Sequence, residues 1–399
     1  MAATRTIIVA GAGIGGLTAS LTLAAQGFRV VILEKAERLE EAGAGLQLSP
    51  NASRILVELG LQPRLAPRAV TPDAINIMSA RAGGEIARLP LGEAASFRAG
   101  APYWVLHRAD LQAALQAEVN DNPDIDLRLG CQFEDVTKHA KGLTVVQRSG
   151  NARQQELAVA LIGADGIWSA VRNHLFPEVQ PQFSGLIAWR GTLDATALPR
   201  EYTSPRVQLW MGPNAHLVAY PISGARQINV VVVVPGTWNR PGWSAPGDAN
   251  EIKSAFSSRW PATARMLVGA VDEWRRWALF TVPDHGEWSE GAIALLGDAA
   301  HAMLPFAAQG AGMAIEDAAV LAQVLSESAG ENIAGIPAAL KRYGRLRRAR
   351  VSRVQRAARR SGRIYHLTGP LALARDLTIK AMGAQRMLAR QDWIYDWRV

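Results

Sequence analysis

A glycine-rich turn near the start of the chain has the residue types and spacing that bind a phosphate. The apolar run Ile7–Ala10 leads into Gly11-Ala12-Gly13-Ile14-Gly15-Gly16. In such a turn Gly11 permits the sharp bend, Gly13 lets a pyrophosphate approach the backbone, and Gly16 lets the next helix pack closely on the sheet. The first N–H groups of that helix point at the phosphate and favour its negative charge.

A carboxylate follows at the spacing that a nucleotide site needs. Val30–Leu33 is a strand-like apolar run, and Glu34 comes directly after it, roughly 20 residues beyond the glycine turn. A carboxylate in that position can accept hydrogen bonds from a ribose. Strand, turn, helix and strand together predict a site for a dinucleotide with an adenosine diphosphate half, which at this point can be NAD or FAD.

These motifs need an α/β framework to position them. Ser49 and Pro50 begin a helix pattern, and Arg108 stands at the entrance of another. Strand-like runs broken by Pro and Gly extend from Phe183 to Val234, and a helical pattern covers 338–363. The chain therefore leaves a dinucleotide-binding fold for a second sheet and then returns.

Composition narrows the class of protein further. The chain has 399 residues with 49% hydrophobic content, and its apolar runs are strand-sized, so we expect no membrane span. The N-terminus lacks the order of segments of a secretory signal, which favours the cytoplasm. Cys131 is the single cysteine, which excludes an internal disulfide and a cysteine-cluster metal site. We expect no bound metal.

The net charge of +8 is local. Lys341–Arg363 holds eleven basic residues and no acidic ones. An apolar face at near-helical spacing predicts one long helix with a solvated arginine face; that apolar face consists of Tyr343, Leu346, Val351, Val354 and Ala358. Attraction of an anionic substrate or of a nicotinamide cofactor is the second interpretation, and a membrane or nucleic-acid surface is the third. We expect neither nucleic acid nor membrane as a partner.

Two later motifs form a set with the glycine turn. The second is Gly163-Ala164-Asp165-Gly166, continued to Arg172, and the third is Gly297-Asp298 with Pro305 and Gln309–Gly312 after it. Their order and spacing resemble the three fingerprints of the single-component FAD-dependent aromatic hydroxylases, the group of para-hydroxybenzoate hydroxylase. Within that group, four segments are most similar to salicylate hydroxylase, 3-hydroxybenzoate 6-hydroxylase and 6-hydroxynicotinate 3-monooxygenase: Gly43–Asn51, Tyr103–Leu111, Gly212–Pro221 and Leu295–Ala318.

The resemblance implies a fold and a division of the chain. The expected fold is α/β, with a Rossmann-like FAD-binding domain over residues 1–180 and 286–335. A mainly β substrate domain is expected as an insertion over 181–285, and a helical segment with a long helix over 336–399. A monomer or a homodimer is expected.

The resemblance also implies which residues bind FAD. Asp298, at the end of a buried strand, suits the ribityl hydroxyls, and the N–H groups at the start of a helix suit the negative charge of the reduced flavin ring. Asp165 is expected on the flavin side and on the nicotinamide path. The complete expected set is Gly11, Gly13, Gly15, Gly16, Glu34, Lys35, Gln47, Arg108, Asp165, Asp298, Gly310, Ala311 and Gly312.

The implied reaction is hydroxylation of a small aromatic ring, a phenolic acid or a hydroxypyridine, by NADH or NADPH and O2 through a flavin hydroperoxide. Phenolate is the better nucleophile, so a base or proton relay is needed. His216 and Tyr220 lie on one face of a strand. The resemblance implies that His216 is the base or a proton relay, that Tyr220 is a hydrogen-bond partner of the substrate, and that Pro305 lies beside the oxygen-transfer site. Arg190 and Arg226 are weaker candidates for binding a carboxylate. The alternatives are another FAD-dependent oxidase or halogenase, and a non-catalytic nucleotide-binding scaffold.

Overall fold

The computed structural model describes residues 5–39, 44–92, 99–140, 142–199, 202–256, 260–284, 286–329 and 333–399. Gly43, which opens one of the segments that carry the resemblance, lies outside the described residues. In chain order the strands are β1 (Thr6–Ala10), β2 (Arg29–Glu34), β3 (Gly45–Leu48), β4 (Ala74–Ser79), β5 (Glu85–Pro90), β6 (Trp104–His107), β7 (Ile125–Leu129), β8 (Cys131–His139), β9 (Gly142–Ser149), β10 (Ala152–Ala158), β11 (Ala160–Gly163), β12 (Gln182–Asp194), β13 (Arg206–Gly212), β14 (Ala215–Ile222), β15 (Gln227–Pro235), β16 (Ser244–Gly247), β17 (Trp274–Thr281), β18 (Ser289–Glu290) and β19 (Ile293–Leu295).

The helices alternate with these strands and then dominate the C-terminal part. They are α1 (Ile14–Ala24), α2 (Pro50–Glu58), α3 (Gln62–Leu65), α4 (Arg108–Asp121), α5 (Ala170–Leu175), α6 (Ala249–Ala255), α7 (Ala262–Gly269), α8 (Asp298–His301), α9 (Gly310–Ala329), α10 (Ile336–Tyr365), α11 (Gly369–Ala389) and α12 (Asp392–Tyr395). Among these helices, none is both long enough and apolar enough to cross a membrane.

The first sheet has the Rossmann-like arrangement that the glycine turn predicts. Its strand order is β18-β19-β11-β1-β2-β7, and β1 pairs in parallel with both β2 and β11. Ile7, Ile8 and Val9 of β1 are fully buried, and both α1 and a three-stranded sheet of order β10-β9-β8 contact the first sheet. β11 pairs with both β1 and β19, which brings the starts of the second and third motifs next to the first motif.

The second sheet is larger than the first, and it is mixed. Its order is β16-β17-β12-β15-β14-β13-β4-β5. Six of these strands come from the predicted segment 181–285, whereas β4 and β5 come from residues 74–90, outside the predicted boundaries. β4 joins by pairing in parallel with β13. Such a pairing between distant segments leaves little trace in local periodicity.

The long helix α10 corrects two details of the predicted arginine face. Leu346, expected on the apolar face, has 51% of its surface exposed, so its assignment was wrong. Arg347, expected in solvent, is 1% exposed and lies among Tyr343, Val351 and the other buried residues of that face. Arg347 is buried because Glu316 and Asp317 of α9 pair with its guanidinium.

Candidate functional site

The three motifs meet at one cavity of about 300 Å³ between the two large sheets. The Rossmann-like side contributes Gly13, Ile14, Gly15, Ala164, Gly166, Leu296, Gly297, Asp298, Met303, Pro305, Ala308, Gly310, Ala311 and Ala314. The opposite side contributes Arg190, His216, Val218, Tyr220, Val231 and Val233, and one edge is closed by Gly45, Leu46, Gln47 and Arg108. The expected residues that do not line the cavity are Gly11, Gly16, Glu34, Lys35, Asp165 and Gly312.

Packing explains two of the motif glycines, and open space explains a third. Gly11 has a φ of +103°, and a Cβ there would lie 2.5 Å from the Ala164 carbonyl oxygen. A Cβ on Gly16 would lie 1.9 Å from the Gly11 carbonyl oxygen. At Gly13, by contrast, no atom lies within 4 Å of the Cβ position, and this residue lines the cavity. Gly11 and Gly16 therefore shape the turn, while Gly13 leaves room for a molecule beside it.

Glu34 holds the glycine turn in place. Its carboxylate accepts hydrogen bonds from the backbone N–H of Ala12 at 2.8 Å and from that of Ala36 at 2.9 Å. Gln112 donates from Nε2 to the carbonyl of the same residue, Ala12, at 3.2 Å. Lys35 is exposed. Glu34 thus fixes the backbone that a nucleotide would approach.

The short ladder between β3 and β6 positions the edge of the cavity. Gly45 pairs with His107, the residue before α4, so Gln47 of β3 and Arg108, the first residue of α4, both reach the cavity. The Tyr103 hydroxyl donates to Gln47 Oε1 at 2.7 Å, which orients the amide. The Arg108 backbone N–H donates to the Ala44 carbonyl at 3.1 Å and fixes the start of α4.

A buried charge network supports the third motif. Asp317 Oδ2 accepts from the Gly297 N–H at 3.0 Å and lies 2.6 Å from His301 Nε2, while Asp317 Oδ1 accepts from Arg347 Nε. Although burial opposes it, the His301 and Arg347 side chains hold the pKa of Asp317 below its usual value. This network places Gly297 and therefore Asp298, which lines the cavity at the start of α8.

A second set of hydrogen bonds fixes the start of α9. Gln309 donates from Nε2 to Ser49 Oγ at 2.8 Å, and Asn51 donates from Nδ2 to Glu316 Oε1 at 2.6 Å. Gly310 and Ala311 line the cavity, and their helix of twenty residues starts there. Gly312 instead faces Gln309 and Asn51.

Asp165 serves as a helix cap. Its Oδ2 accepts from the backbone N–H groups of Ala170 at 2.7 Å and Val171 at 3.2 Å, at the start of α5. Burial raises the pKa of the Asp165 carboxyl, although these donors oppose the shift. Gly166, next to it, is the member of this motif that reaches the cavity together with Ala164.

Alternate residues of β14 form the floor of the cavity. His216, Val218 and Tyr220 point to the same side of the strand, as the period of two requires, and the adjacent β15 adds Val231 and Val233. Burial lowers the pKa of His216 to about 3, with His366 adding to the effect, and burial raises the pKa of Tyr220 well above its usual value. Both side chains are therefore neutral near pH 7.

Arg190 on β12 is the cation of this floor. It lines the cavity, and burial lowers its pKa, with the positive charge of Arg108 acting in the same direction. Its Nε is buried and has no hydrogen-bond partner in the described part of the chain, and its guanidinium lies 5.8 Å from the centre of the Trp277 ring. A half-buried arginine whose buried Nε is an unused donor is suited to an anionic ligand.

The turn Pro305–Ala307 encloses the cavity beside His216. Pro305 lines the cavity, and the Phe306 ring packs edge-on against the His216 imidazole, with ring centres 5.2 Å apart. Sequence reasoning missed one neighbour: the Nε2 atom of His366 lies 2.8 Å from His216 Nδ1. The only local signal for His366 is its position directly after the basic helix.

Comparisons with known proteins agree with this geometry. The family profile described as FAD binding domain matches residues 4–358. A 3-hydroxybenzoate 6-hydroxylase of Polaromonas naphthalenivorans is 35% identical over 393 residues, covering 98% of this chain and 96% of the relative. A 3-amino-4-hydroxybenzoate 2-monooxygenase, PtmB3 of Streptomyces platensis, is 39% identical over 392 residues, with 98% and 95% covered.

Among solved structures, a salicylate hydroxylase in a substrate complex superposes with a TM-score of 0.83 at 26% identity, covering 100% of this chain and 97% of that one. These findings confirm the predicted α/β fold and the resemblance to FAD-dependent aromatic hydroxylases.

Proposed function

The chain belongs to the FAD binding domain family of flavin-dependent monooxygenases, and from this premise we propose that it hydroxylates a small anionic aromatic ring with O2 and NADH or NADPH. The observation that carries this proposal is the floor of the cavity, where His216, Tyr220 and Arg190 lie together on one sheet face opposite the three motifs. These are a base, a hydroxyl donor and a cation, which is the set that a phenolic acid requires.

The residues on the Rossmann-like side fit FAD. Gly13 and Gly310 both line the cavity, and neither has an atom within 4 Å of the position that a Cβ would take. Both positions thus leave the backbone N–H groups of a helix start open to a pyrophosphate or to a flavin ring. Asp298 is an exposed carboxylate between them, suited to the hydroxyl groups of the ribityl chain.

We assign the remaining cofactor contacts on the same basis. Gln47 and Arg108, at the edge of the cavity, would contact the flavin side, and Glu34 would meet the adenosine ribose after its bond to Ala12 rearranges. Lys35 would lie near the same ribose. When bound and reduced, FAD would activate O2, and one oxygen atom of the O2 would be transferred to the ring.

His216 prepares the aromatic ring by removing its hydroxyl proton. His366 engages Nδ1 of His216, so Nε2 is the ring nitrogen that remains for a molecule in the cavity. A base must be neutral to accept a proton, and His216, whose pKa burial lowers to about 3, is neutral near pH 7. The same low pKa means that the accepted proton must pass on from this ring. The resulting phenolate has the electron density at the ring carbons that oxygen transfer requires.

Tyr220 and Arg190 hold and orient the ring. The raised pKa of Tyr220 keeps its hydroxyl protonated, so it donates a hydrogen bond to the substrate oxygen. The half-buried Arg190 guanidinium, whose Nε has no hydrogen-bond partner among the described residues, binds the carboxylate. Val218, Val231, Val233 and the Pro305 turn surround the site with apolar atoms and exclude water.

Purified protein tests the proposal directly. We expect a yellow protein with flavin absorbance, whose oxidation of NADH or NADPH is stimulated by a hydroxybenzoate or a hydroxypyridine, with a hydroxylated product found by mass spectrometry. Stimulated NADH oxidation that yields only peroxide would point to an oxidase. A colourless protein that binds nucleic acid in a salt-sensitive way would favour the scaffold.

A further inference from the structure

A pair of histidines connects the cavity with the outside of the protein. His216 is 4% exposed and forms part of the cavity floor. His366, at the end of α10, is partly exposed, and its Nε2 lies 2.8 Å from His216 Nδ1. The two residues are 150 positions apart in the sequence. His216 lies on β14 of the second sheet, and His366 follows the last residue of α10.

The short contact couples the tautomers of the two rings. A neutral imidazole carries one N–H, so one of the two facing nitrogens holds the shared hydrogen and the other accepts it. When His216 Nδ1 donates, His216 Nε2 has a free lone pair, and this is the tautomer that can accept a proton from a molecule in the cavity. The direction of the hydrogen bond between His216 and His366 therefore determines whether His216 Nε2 can act as a base.

Electrostatics favours passing the proton on. His216 is surrounded by the Phe306 and Tyr365 rings and by His366, so an isolated imidazolium there would be poorly solvated. If His216 Nδ1 gives its hydrogen to His366 as Nε2 receives one, His216 stays neutral throughout. Burial lowers the pKa of His366 as well, but of the two rings His366 is the better placed for a charge, because it is partly exposed whereas His216 is 4% exposed.

We propose that His366 is the second member of a proton relay that carries the hydroxyl proton of the bound aromatic ring from His216 to solvent. The inference rests on the proposed function. One O–H bond of the substrate breaks and an N–H bond forms at His216 Nε2; the His216 Nδ1 hydrogen moves to His366 Nε2; and the His366 Nδ1 hydrogen leaves to water. The charge that remains is the negative charge of the phenolate, which faces Arg190 and Arg108.

Other titratable groups around the cavity are less suited to this task. Arg108 and Arg190 are permanently protonated and accept no proton. Burial raises the pKa values of Tyr220 and Tyr365, and the Tyr365 hydroxyl already donates to the Phe306 carbonyl. Asp298 lies across the cavity at the start of α8 and belongs to the proposed cofactor site.

The backbone around His366 keeps the pair in register. The Asn214 N–H, in the turn between β13 and β14, donates to the His366 carbonyl at 3.3 Å. The His366 N–H donates to the Gly362 carbonyl at 3.3 Å, which ends α10. The turn between β13 and β14 therefore holds His366 by a hydrogen bond and leads directly into His216.

Two variants of His366 distinguish a residue that passes a proton on from one that only holds the His216 ring in position. His366→Gln keeps an acceptor for His216 Nδ1 but cannot pass a proton through its side chain, whereas His366→Ala removes both properties. The control is Tyr365→Phe, which keeps the neighbouring ring and removes only its hydroxyl. Each is loaded with FAD, and the rate of product formation in a single turnover is measured with 3-hydroxybenzoate, 3-amino-4-hydroxybenzoate or 6-hydroxynicotinate, whichever most stimulates the wild type.

We expect both His366 variants to keep their flavin and to form product at least about tenfold more slowly, while Tyr365→Phe stays near the wild-type rate. Added imidazole should restore the Ala variant but not the Gln variant. The single-turnover rate is also measured in mixtures of H2O and D2O. Its dependence on the D2O fraction should show that more than one proton moves in the rate-limiting step of the wild type, and that one proton moves in the Gln variant. Nitrogen NMR of labelled histidines should show the shared hydrogen in the wild type before any substrate is added.

A Gln variant as fast as the wild type would overturn the relay and leave His366 a positioning residue. Histidine spectra without a shared hydrogen would equally contradict it. If none of the aromatic acids stimulates the wild type, the proposed function fails instead, and the NMR result on the histidine pair is still obtained.

Discussion

Asp317 Oδ1 accepts a hydrogen bond from Arg347 Nε at 2.6 Å, and the two side chains are 0% and 1% exposed. Because Asp317 Oδ2 also holds the Gly297 N–H, this single carboxylate joins α9 and α10 to the turn before Asp298. The arginine-rich helix, which in sequence looks like a solvated surface, is thereby part of the support of the candidate site.

Replacing Asp317 tests that support. Asp317→Asn leaves Arg347 and His301 buried without their full partner, so we expect the free energy of unfolding to fall by about 3 kcal/mol. Since the pKa of Asp317 lies below its usual value, its contribution is present above about pH 4 and is lost as the pH falls further. Urea unfolding followed at pH 7 and at pH 3.5 measures both effects, and the variant should lose less between the two pH values than the wild type.

The control is the exposed pair of Arg348 and Asp284, 2.7 Å apart on the surface side of α10. Asp284→Asn should cost less than about 1 kcal/mol, because solvent screens this pair. Equal losses in the two variants would show that the buried network has no special part in stability.

A valine at Gly13 should remove the cofactor and leave the fold intact. No atom lies within 4 Å of the Cβ position, so the side chain fits the protein but occupies space at the cavity. We expect loss of flavin absorbance with an unchanged far-ultraviolet circular dichroism spectrum. Gly269→Val is the matched control, because its Cβ position is equally open and it lies at the end of α7, away from the cavity. A Gly13→Val protein with full flavin content would remove the glycine turn from the cofactor site.

The sequence predicts features that depend on local spacing, and it does not predict features that depend on contacts between distant segments. The glycine turn, β14 with His216 and Tyr220, and the helix that begins at Arg108 follow from short-range spacing, and the structure has them. The addition of β4 to the second sheet depends on parallel pairing with β13, more than a hundred residues later. No periodicity within 74–79 specifies that partner.

The same reason explains the misassigned charges. Arg347 looks like its exposed neighbours in sequence, and only the acids of α9 make its burial favourable. His366 follows α10 without any motif, and its meaning comes from His216 on a distant strand. The local spacing of residues does not reveal a role that depends on one partner far away in the sequence.

His216 should be needed for hydroxylation but not for flavin binding. We expect His216→Ala to keep its flavin content and to form product about 10² times more slowly or worse, because the ring then keeps its hydroxyl proton. Since the pKa of His216 is lowered to about 3, the wild-type rate should show no loss from protonation of this residue between pH 5 and 8. Rapid-quench product analysis across that range measures both. Unchanged product formation in the variant would remove His216 from the mechanism.

Arg190 should select aromatic substrates by their charge. In Arg190→Gln the cavity loses this half-buried cation, so the KM for a hydroxybenzoate should rise by 10-fold or more, roughly the value of one charge-assisted hydrogen bond. The KM for the uncharged hydroxybenzamide of the same shape should change little, and this comparison separates lost charge from lost packing. Arg275→Gln is the control, because Arg275 also lies over the Trp277 ring, at 5.9 Å, but is exposed. If Arg190→Gln changes the KM for both substrates equally, Arg190 supports the wall of the cavity and does not bind the carboxylate.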